Sequence, residues 1–346
     1  MERVPLTDRE KLILSAIVQY FIKNAAPVSS SYIAHKEHLS FSPATIRNIM
    51  ASLEEKGYIS QPHTSAGRVP TTIGYRMYVD SLMKRSRLSP DEKAAIRQSL
   101  RQSAVELEEI MREATNLLAQ LSRQLGIVVS PRLEEGIFHR MEIVRLSSER
   151  VLLVLSIQSG MVKTITLEIP TRTSGERLQS VARMLNERLF GMRLIDIRKR
   201  FHEIIRDIRN EETGILNQIH QIADRLFDFE EDKEIFFKGT HNIVQQPEFS
   251  DLEKFSSVIE LLEDQEVIIH LLDVETQNTP ISIKIGEEIQ EKRMQTCSII
   301  SARYRIHNIS GTIGIIGPTR MNYSKLVSLV DFTARTITET LENAYN

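Results

Sequence analysis

The sequence contains a single cysteine, Cys297, among its 346 residues, so no internal disulfide can form and no cysteine cluster can hold a metal. Because Cys297 lies in an apolar, strand-like stretch, we interpret it as an inert packing residue. Long apolar runs are also missing. The longest, near Val151–Ile157, has the length of a strand, whereas a membrane span needs about 20 apolar residues. The N-terminal residues contain no apolar signal core. These absences predict a cytoplasmic protein that has no membrane partner.

Motifs of catalysis and of cofactor binding are absent as well. The sequence has no GxSxG, no Walker loop and no HExxH. Gly311, Gly314 and Gly317 are three residues apart, which is not the spacing of a dinucleotide-binding loop and is better explained by a strand and a turn. His35 and His38 have no third metal ligand near them in the sequence. We therefore expect no enzymatic activity, no cofactor and no metal site.

The charge is small overall but unevenly distributed. The formal net charge is −2. Residues 1–88 carry twelve lysines and arginines against seven aspartates and glutamates, a net charge of +5, which leaves −7 for the rest of the chain. A basic head on an acidic body favours DNA binding, because the head attracts phosphate and the body does not.

The first 36 residues predict two helices. The segment from Thr7 to Asn24 has apolar residues at helical spacing, and Thr7 with Glu10 three residues later forms a candidate capping box. A second short helix is predicted from Ser29 or Ser30 to about Lys36.

A third predicted helix has well-marked ends. Ser42 is a candidate N-cap, Pro43 occupies the first helical position, and the helix runs to Lys56 with Gly57 as its C-cap. Its apolar residues form one stripe that we expect to be buried: Ile46, Ile49, Met50 and Leu53. The residues near its N-terminus are therefore expected to face outward.

These outward residues have the character of a DNA recognition helix. Such a helix enters the major groove by its N-terminal end, so its first two turns must be slim and able to form hydrogen bonds. Arg47 suits a guanine edge or a phosphate, and Asn48 suits adenine. Ser42 and Thr45 are able to contact a base or a phosphate, and the helix N-terminus at Pro43 favours phosphate.

A two-stranded wing is predicted after this helix. Residues 58–60 and 68–70 are the candidate strands, with a turn at 65–67. The wing would present four residues to the DNA backbone or the minor groove: His63, Thr64, Ser65 and Arg68. The alternative is a three-helix domain whose hairpin contacts another protein.

The body of the chain mixes helices and strands. Apolar residues from Leu100 to Leu125 alternate at spacings of four and three. This heptad pattern fits either a coiled coil between subunits or one long helix packed on its own sheet, and Ile110 and Leu117 favour the second because they widen the stripe. Five strands are predicted, at 151–157, 164–169, 266–274, 296–304 and 312–316. A final helix is predicted at 323–343. This order suggests a sheet covered by terminal helices.

Residues 193–228 are predicted to form two charged amphipathic helices that have no sheet of their own. This composition suits an inserted module that either pairs with another subunit or covers the body.

One long, ungapped block makes these predictions specific. The stretch SPATIRNIMASLEEKGYISQPHTSAGRVPTTIGYRMYVD resembles the DNA-binding domain of the HrcA family of heat-inducible transcription repressors, and GTIGIIGPTRMNY and the chain length extend the resemblance over essentially the whole chain. It implies an α+β fold: an N-terminal winged helix-turn-helix (1–88), then a GAF-like α/β sandwich (89–192 and 251–346) interrupted by an inserted dimerisation domain (193–250).

The resemblance also implies a function. Members of this family repress chaperone operons by binding the CIRCE inverted repeat in double-stranded DNA as a homodimer, and the chaperonin GroEL is the expected modulator. Two alternatives stay open at this point. One is a ligand-gated transcriptional regulator that senses a small molecule in the GAF-like domain. The other is a signalling enzyme or small-molecule sensor that uses its winged helix as an interaction module.

Overall fold

Three N-terminal helices and a short β-ribbon form the first unit of the fold, the head. The helices are α1 (Asp8–Asn24), α2 (Ser30–Lys36) and α3 (Pro43–Glu55), and the ribbon pairs β1 (Ile59–Ser60) with β2 (Val69–Pro70). The three helices and the ribbon expected from the sequence are thereby confirmed, and α3 ends one residue earlier than predicted. The computed structural model describes the following residues of the chain: 5–36, 41–62, 67–103, 106–169, 174–206, 215–227, 234–249, 256, 259–260, 264–272 and 280–345. No helix within these ranges combines the length and the apolar character needed to cross a membrane.

The ends of the head helices follow from local chemistry. Thr7 and Glu10 form the expected capping box of α1, in which the Glu10 amide donates to the Thr7 hydroxyl at 3.3 Å. Ala25 ends that helix in the left-handed conformation with φ 51°. Gly57, with φ 76°, follows α3 and turns the chain toward the ribbon, a conformation that glycine adopts without a steric penalty.

The core of the head lies between α1 and α3. Ile13 and Ile17 of α1 and Ile46 and Leu53 of α3 have no exposed surface. This burial leaves the opposite side of α3 in contact with solvent, so the packing of the core determines which residues α3 presents.

A further short helix completes the head and joins it to the rest of the chain. It is α4 (Thr72–Met77), which continues as a π-helical turn over Tyr78–Leu82. Gly74 of α4 lies directly against the carbonyl oxygen of Tyr58, so a larger residue would not fit there.

The body contains a five-stranded antiparallel sheet with the strand order β7-β3-β10-β9-β8. Its strands are β3 (Leu125–Val129), β7 (Ile235–Lys238), β8 (Ile281–Ile285), β9 (Cys297–Ile306) and β10 (Ile309–Pro318). Side chains of the central strands alternate between two apolar cores, one on each face of the sheet.

Helices cover both faces of this sheet. α5 (Pro90–Gln102), α6 (Leu107–Ser122) and the final helix α13 (Tyr323–Tyr345) form one layer. α11 (Thr240–Val244) and α12 (Gln265–Leu272) lie on the other face. The predicted sheet covered by terminal helices is therefore present.

A second antiparallel sheet, with three strands, is separate from the five-stranded sheet. It contains β4 (Phe138–Arg145), β5 (Arg150–Ile157) and β6 (Val162–Glu168), in that order. α7 (Gly175–Leu189) packs along β4, where the Asn186 side chain bonds the Met141 backbone at 2.7 and 3.0 Å.

Three further helices complete this part, which we call the side module (residues 138–227). They are α8 (Leu194–Ile204), α9 (Ile215–Gln221) and α10 (Ala223–Leu226). The aromatic rings of Phe201 and Phe227 pack with their centroids 5.3 Å apart. The predicted helical character of 193–228 is thereby confirmed over its described residues.

Two predictions about the body are wrong. The heptad pattern from Leu100 to Leu125 does not form one helix, because α5 ends at Gln102, α6 begins at Leu107 and Leu125 lies in β3. Both helices turn an apolar face to the same core, so their combined pattern imitated a single seam. The strand predicted at 266–274 is the helix α12, with 273–274 outside the described residues. A short continuous apolar run has no period that separates a buried helix from a buried strand.

The predicted domain boundaries at 192/193 and 250/251 stay predictions, and the strand pairing favours a longer inserted segment. Val129 of β3 lies opposite Ile235 of β7, and the Ser130 amide donates to the Glu234 carbonyl at 2.9 Å. The chain thus leaves the five-stranded sheet at 130 and returns to it at 234. β7 belongs to that sheet although it falls inside the 193–250 segment.

Candidate nucleic-acid interface

The N-terminal half of α3 presents the residues predicted to read DNA. Ser42 caps the helix, since its hydroxyl accepts from the Thr45 amide at 3.1 Å, and the two hydroxyls lie 3.0 Å apart. Pro43 occupies the first turn. Arg47 and Asn48 are exposed on the next turn. The structure therefore brings these five predicted residues together in the first two turns of α3, where four are exposed and Thr45 is half-buried.

A buried carboxylate ties α3 to α1. Glu10 is only 5% exposed and accepts hydrogen bonds from Lys56 Nζ at 2.6 Å and from the Ser52 hydroxyl at 2.8 Å. Burial raises the pKa of Glu10, but the hydrogen bonds from Lys56, Thr7 and Ser52 outweigh it and lower the pKa to about 2. These contacts join the start of α1 to the C-terminal end of α3. Sequence reasoning identified Glu10 only as part of a capping box.

Arg9 lies beside the start of α3. Its guanidinium carbon lies 5.4 Å from the centroid of the Phe41 ring, and Phe41 immediately precedes the N-cap Ser42. Arg9 is exposed, so it adds a cation next to the predicted phosphate contacts. Sequence reasoning missed this residue. The available signal was a positive charge in the first turn of α1, where the helix dipole disfavours it.

The wing is present as the paired strands β1 and β2, with Ile59 opposite Pro70. His63, Thr64 and Ser65, predicted to lie at its tip, fall outside the described residues. The structure places Arg68 at the base of the wing.

Arg68 is held on two sides. Its amide donates to the Val28 carbonyl at 2.9 Å and its carbonyl accepts from the Val28 amide at 3.0 Å. Its guanidinium forms an ion pair with Glu54, with Nε 2.9 Å from the carboxylate. The predicted phosphate contact of Arg68 therefore requires that the guanidinium share or leave Glu54.

The face formed by Arg9, Thr45, Arg47 and Asn48 combines positive charge with small hydrogen-bonding groups. This is the chemistry of a surface that binds phosphate and reads base edges. Among the described residues, no group of three histidine, cysteine or acidic side chains is arranged to hold a metal. The His35 ring nitrogen lies 2.6 Å from the Ser31 carbonyl instead.

Two family models match the chain. Residues 5–81 match the winged helix-turn-helix transcription repressor model for HrcA DNA binding. Residues 108–327 match the model of the HrcA protein C-terminal domain. The first covers the face described above, and the second covers most of the body.

Full-length relatives carry the same description. A heat-inducible transcription repressor HrcA from Chlorobium phaeobacteroides is 38% identical over 347 residues, covering 97% of this chain and 98% of that protein. The HrcA of Chlorobium chlorochromatii is 40% identical over 352 residues, covering 99% of both. A solved structure described as a hypothetical protein at 2.2 Å resolution has the same fold, with a TM-score of 0.60 and 23% identity over 98% of this chain and 100% of that one.

Proposed function

The chain belongs to the HrcA family of heat-inducible transcription repressors, and from this premise we propose that it binds an inverted-repeat operator of the CIRCE type as a homodimer. As a member, it is a winged-helix DNA-binding transcription repressor and not an enzyme. Family membership therefore excludes the alternative of a signalling enzyme.

The observation that carries the proposal is the division of α3 into two sides. Ile46 and Leu53 are completely buried, whereas Arg47 and Asn48 are exposed in the first turns of the helix. The cap at Ser42 and the Glu10 anchor hold the helix in place. A rigid helix with a polar N-terminal face fits the major groove, because hydrogen-bond geometry separates one base edge from another.

An inverted-repeat operator requires a two-fold symmetric protein, because each half-site must meet the same recognition helix. We infer that two copies of the chain pair through the side module. Several large apolar side chains remain exposed there in the described part of the chain: Val144, Leu146, Val162 and, at 61% exposure, Phe190. Burial of such side chains against a second copy would remove them from water.

The same surface supports modulation by the chaperonin GroEL. A chain that has not yet paired would expose these apolar side chains, and a chaperonin binds that kind of surface. Less free GroEL would then leave less active repressor. We place this activity in the cytoplasm, where operator DNA and chaperonin are both present.

A gel-shift titration tests DNA reading. Arg47→Ala is expected to weaken binding to an inverted-repeat operator by about 1–3 kcal/mol and to relax the preference at one base position. Arg335→Ala is the matched control, because Arg335 is an exposed arginine of α13 that pairs with Asp331 in the same helix. Equal affinities of the Arg47 variant and the wild type would contradict the assignment of α3.

Light scattering tests the homodimer. Phe190→Glu is expected to shift the mass in solution from dimer to monomer, because it adds a charge to the exposed apolar surface of the side module. Leu12→Glu is the control, since Leu12 is 46% exposed on the head. A Phe190 variant that remains dimeric would place the interface elsewhere.

Operator binding with and without GroEL and ATP tests the modulation. The chaperonin is expected to raise the fraction of active repressor without changing the affinity of the molecules that are already active. If operator binding does not change when GroEL is added but changes when a small molecule is added, the ligand-gated alternative is favoured.

A further inference from the structure

An arginine of the head forms a bidentate ion pair with a glutamate of the body. Arg76 of α4 donates from Nε to one carboxylate oxygen of Glu288 at 2.8 Å, and from Nη2 to the other oxygen and to the Ile283 carbonyl, the latter at 2.6 Å. Its third nitrogen donates to Asp80 of the head at 3.1 Å. Only 17% of the Arg76 side chain is exposed. One guanidinium therefore joins a head carboxylate to the body.

The body holds its side of this contact in place. Glu288 also accepts from the Ile285 amide at 2.9 Å, so its carboxylate is oriented before the head arrives. Gly286 has φ 53°, and a Cβ built there would lie 2.8 Å from the Thr72 hydroxyl of α4. The glycine thus allows a close approach of head and body, whereas a larger residue would displace the Thr72 hydroxyl and strain the backbone.

The linker between head and body, residues 83–89, is bonded to the body as well. The Ser86 amide donates to the Ser324 carbonyl at 3.0 Å, and the hydroxyls of the two serines lie 2.8 Å apart. The Ser324 hydroxyl also donates to the Lys84 carbonyl. The ring of Tyr75 in α4 packs 6.0 Å from that of Tyr323 at the start of α13. These contacts restrict the rotation of the head.

The docked face and the DNA-reading face are different surfaces of the head. α4 meets the body, whereas Arg47 and Asn48 stay exposed on α3. Docking therefore leaves the recognition helix free and gives it one direction relative to the body.

We propose that the pair of Arg76 and Glu288, here called the clamp, determines which separation of operator half-sites the repressor accepts, by holding each recognition helix in one direction on the body. Arg76 is thus a positioning residue that acts through α3. The inference rests on the proposed binding of an inverted repeat by a dimer. A rigid head matches one spacing, whereas a released head on a flexible segment reaches several.

The first experiment tests the clamp without DNA. Glu288→Gln in the full chain removes the charge and keeps the shape of the side chain. Asp331→Asn is the matched control, because Asp331 loses its partner Arg335 within a single helix and not across the junction. The exposed linker holds trypsin sites at Lys84, Arg85 and Arg87.

Release of the head should expose this linker further. Trypsin is expected to cut it roughly five- to tenfold faster in the Glu288 variant, whereas the Asp331 variant should match the wild type. Equal rates in all three proteins would show that the clamp does not hold the head, and the inference would fail.

The second experiment measures spacing preference. The operators to be compared have the native half-site separation or about 5 or 10 additional base pairs. The insertions rotate one half-site against the other by about half a turn or about one full turn. Wild type is expected to discriminate strongly against the half-turn insertion. In the Glu288 variant this ratio of affinities should shrink by roughly tenfold, with unchanged affinity for an isolated half-site.

A double variant separates the clamp from general destabilisation. If Arg76 and Glu288 act as a pair, Arg76→Gln combined with Glu288→Gln should flatten the spacing profile by less than the sum of the two single variants. An unchanged spacing profile in the single variant, or additive losses in the double variant, would overturn the inference. A wild type that binds no inverted repeat would refute the proposed function instead, and the trypsin comparison would still decide whether the clamp holds the head.

Discussion

Replacement of Glu10 by glutamine removes the charge that joins α1 to α3 while keeping the size of the side chain. The pKa of Glu10 is lowered from 4.5 to about 2 in the folded head, because hydrogen bonds from Lys56, Thr7 and Ser52 outweigh burial. A lowered pKa means that the ionised form stabilises the fold above about pH 4.5 and that this contribution is lost as the pH falls toward 2. At neutral pH the shift corresponds to at most about 3 kcal/mol, because solvent screening near the surface of the head reduces it.

Hydrogen exchange of the full chain measures this effect locally. In the Glu10 variant at pH 7, the backbone amides of α1 and α3 are expected to exchange up to about 100-fold faster than in the wild type. The control is Asp8→Asn, because Asp8 is fully exposed in the first turn of the same helix and pairs with Lys11 at 3.6 Å. The difference between the Glu10 variant and the wild type should shrink as the pH falls below about 4. Exchange rates within a factor of about two of the wild type at pH 7 would refute the role of Glu10 as an anchor.

Three further predictions concern packing, DNA contact and reactivity. Gly74→Ala should lower the melting temperature of the head, because the new Cβ would overlap the Tyr58 carbonyl, whereas Gly175→Ala, with open space around it, should have no such effect; equal melting temperatures of the two variants would contradict this packing. Arg9→Ala should weaken binding to all DNA sequences and reduce the salt dependence of binding by about one phosphate contact, and an unchanged salt slope in a filter-binding titration would remove Arg9 from the interface. Cys297 should resist thiol reagents at pH 8 until the body unfolds, because burial raises its pKa to about 12, and rapid labelling of the folded protein would show that the strand is open.

The head could be predicted from the sequence because its signals are local. A serine N-cap followed by proline marked the start of α3, and Gly57 marked its end within one residue. The exposed residues of α3 followed from the same pattern, since the buried stripe leaves the other side of the helix open to solvent. Contacts between distant segments were out of reach: Arg9 meets Phe41, and Arg68 meets Glu54, only after the helices pack.

The body was less predictable because its signals are ambiguous or non-local. The apolar run of α12 has no clear period, and two helices facing one core imitated a single seam over 100–125. The pairing of β3 with β7 and β10 joins segments far apart in the chain, which no local pattern encodes. The expected boundary at 193 relied on helical character and on the family resemblance, and neither indicated that 138–168 forms a sheet of its own.

The strand order also has a consequence for synthesis on the ribosome. β3 has β10 as its central partner, with Leu125 opposite Ile316, so the five-stranded sheet cannot close until nearly the whole chain has been translated. The head needs only the first 81 residues, all of which emerge early and whose contacts are largely local. A growing chain therefore carries a finished DNA-reading unit long before it has a body to hold it. If the proposed dimer binds an inverted repeat, a nascent chain has only a single head and gains the geometry of the paired operator once its last strands are released.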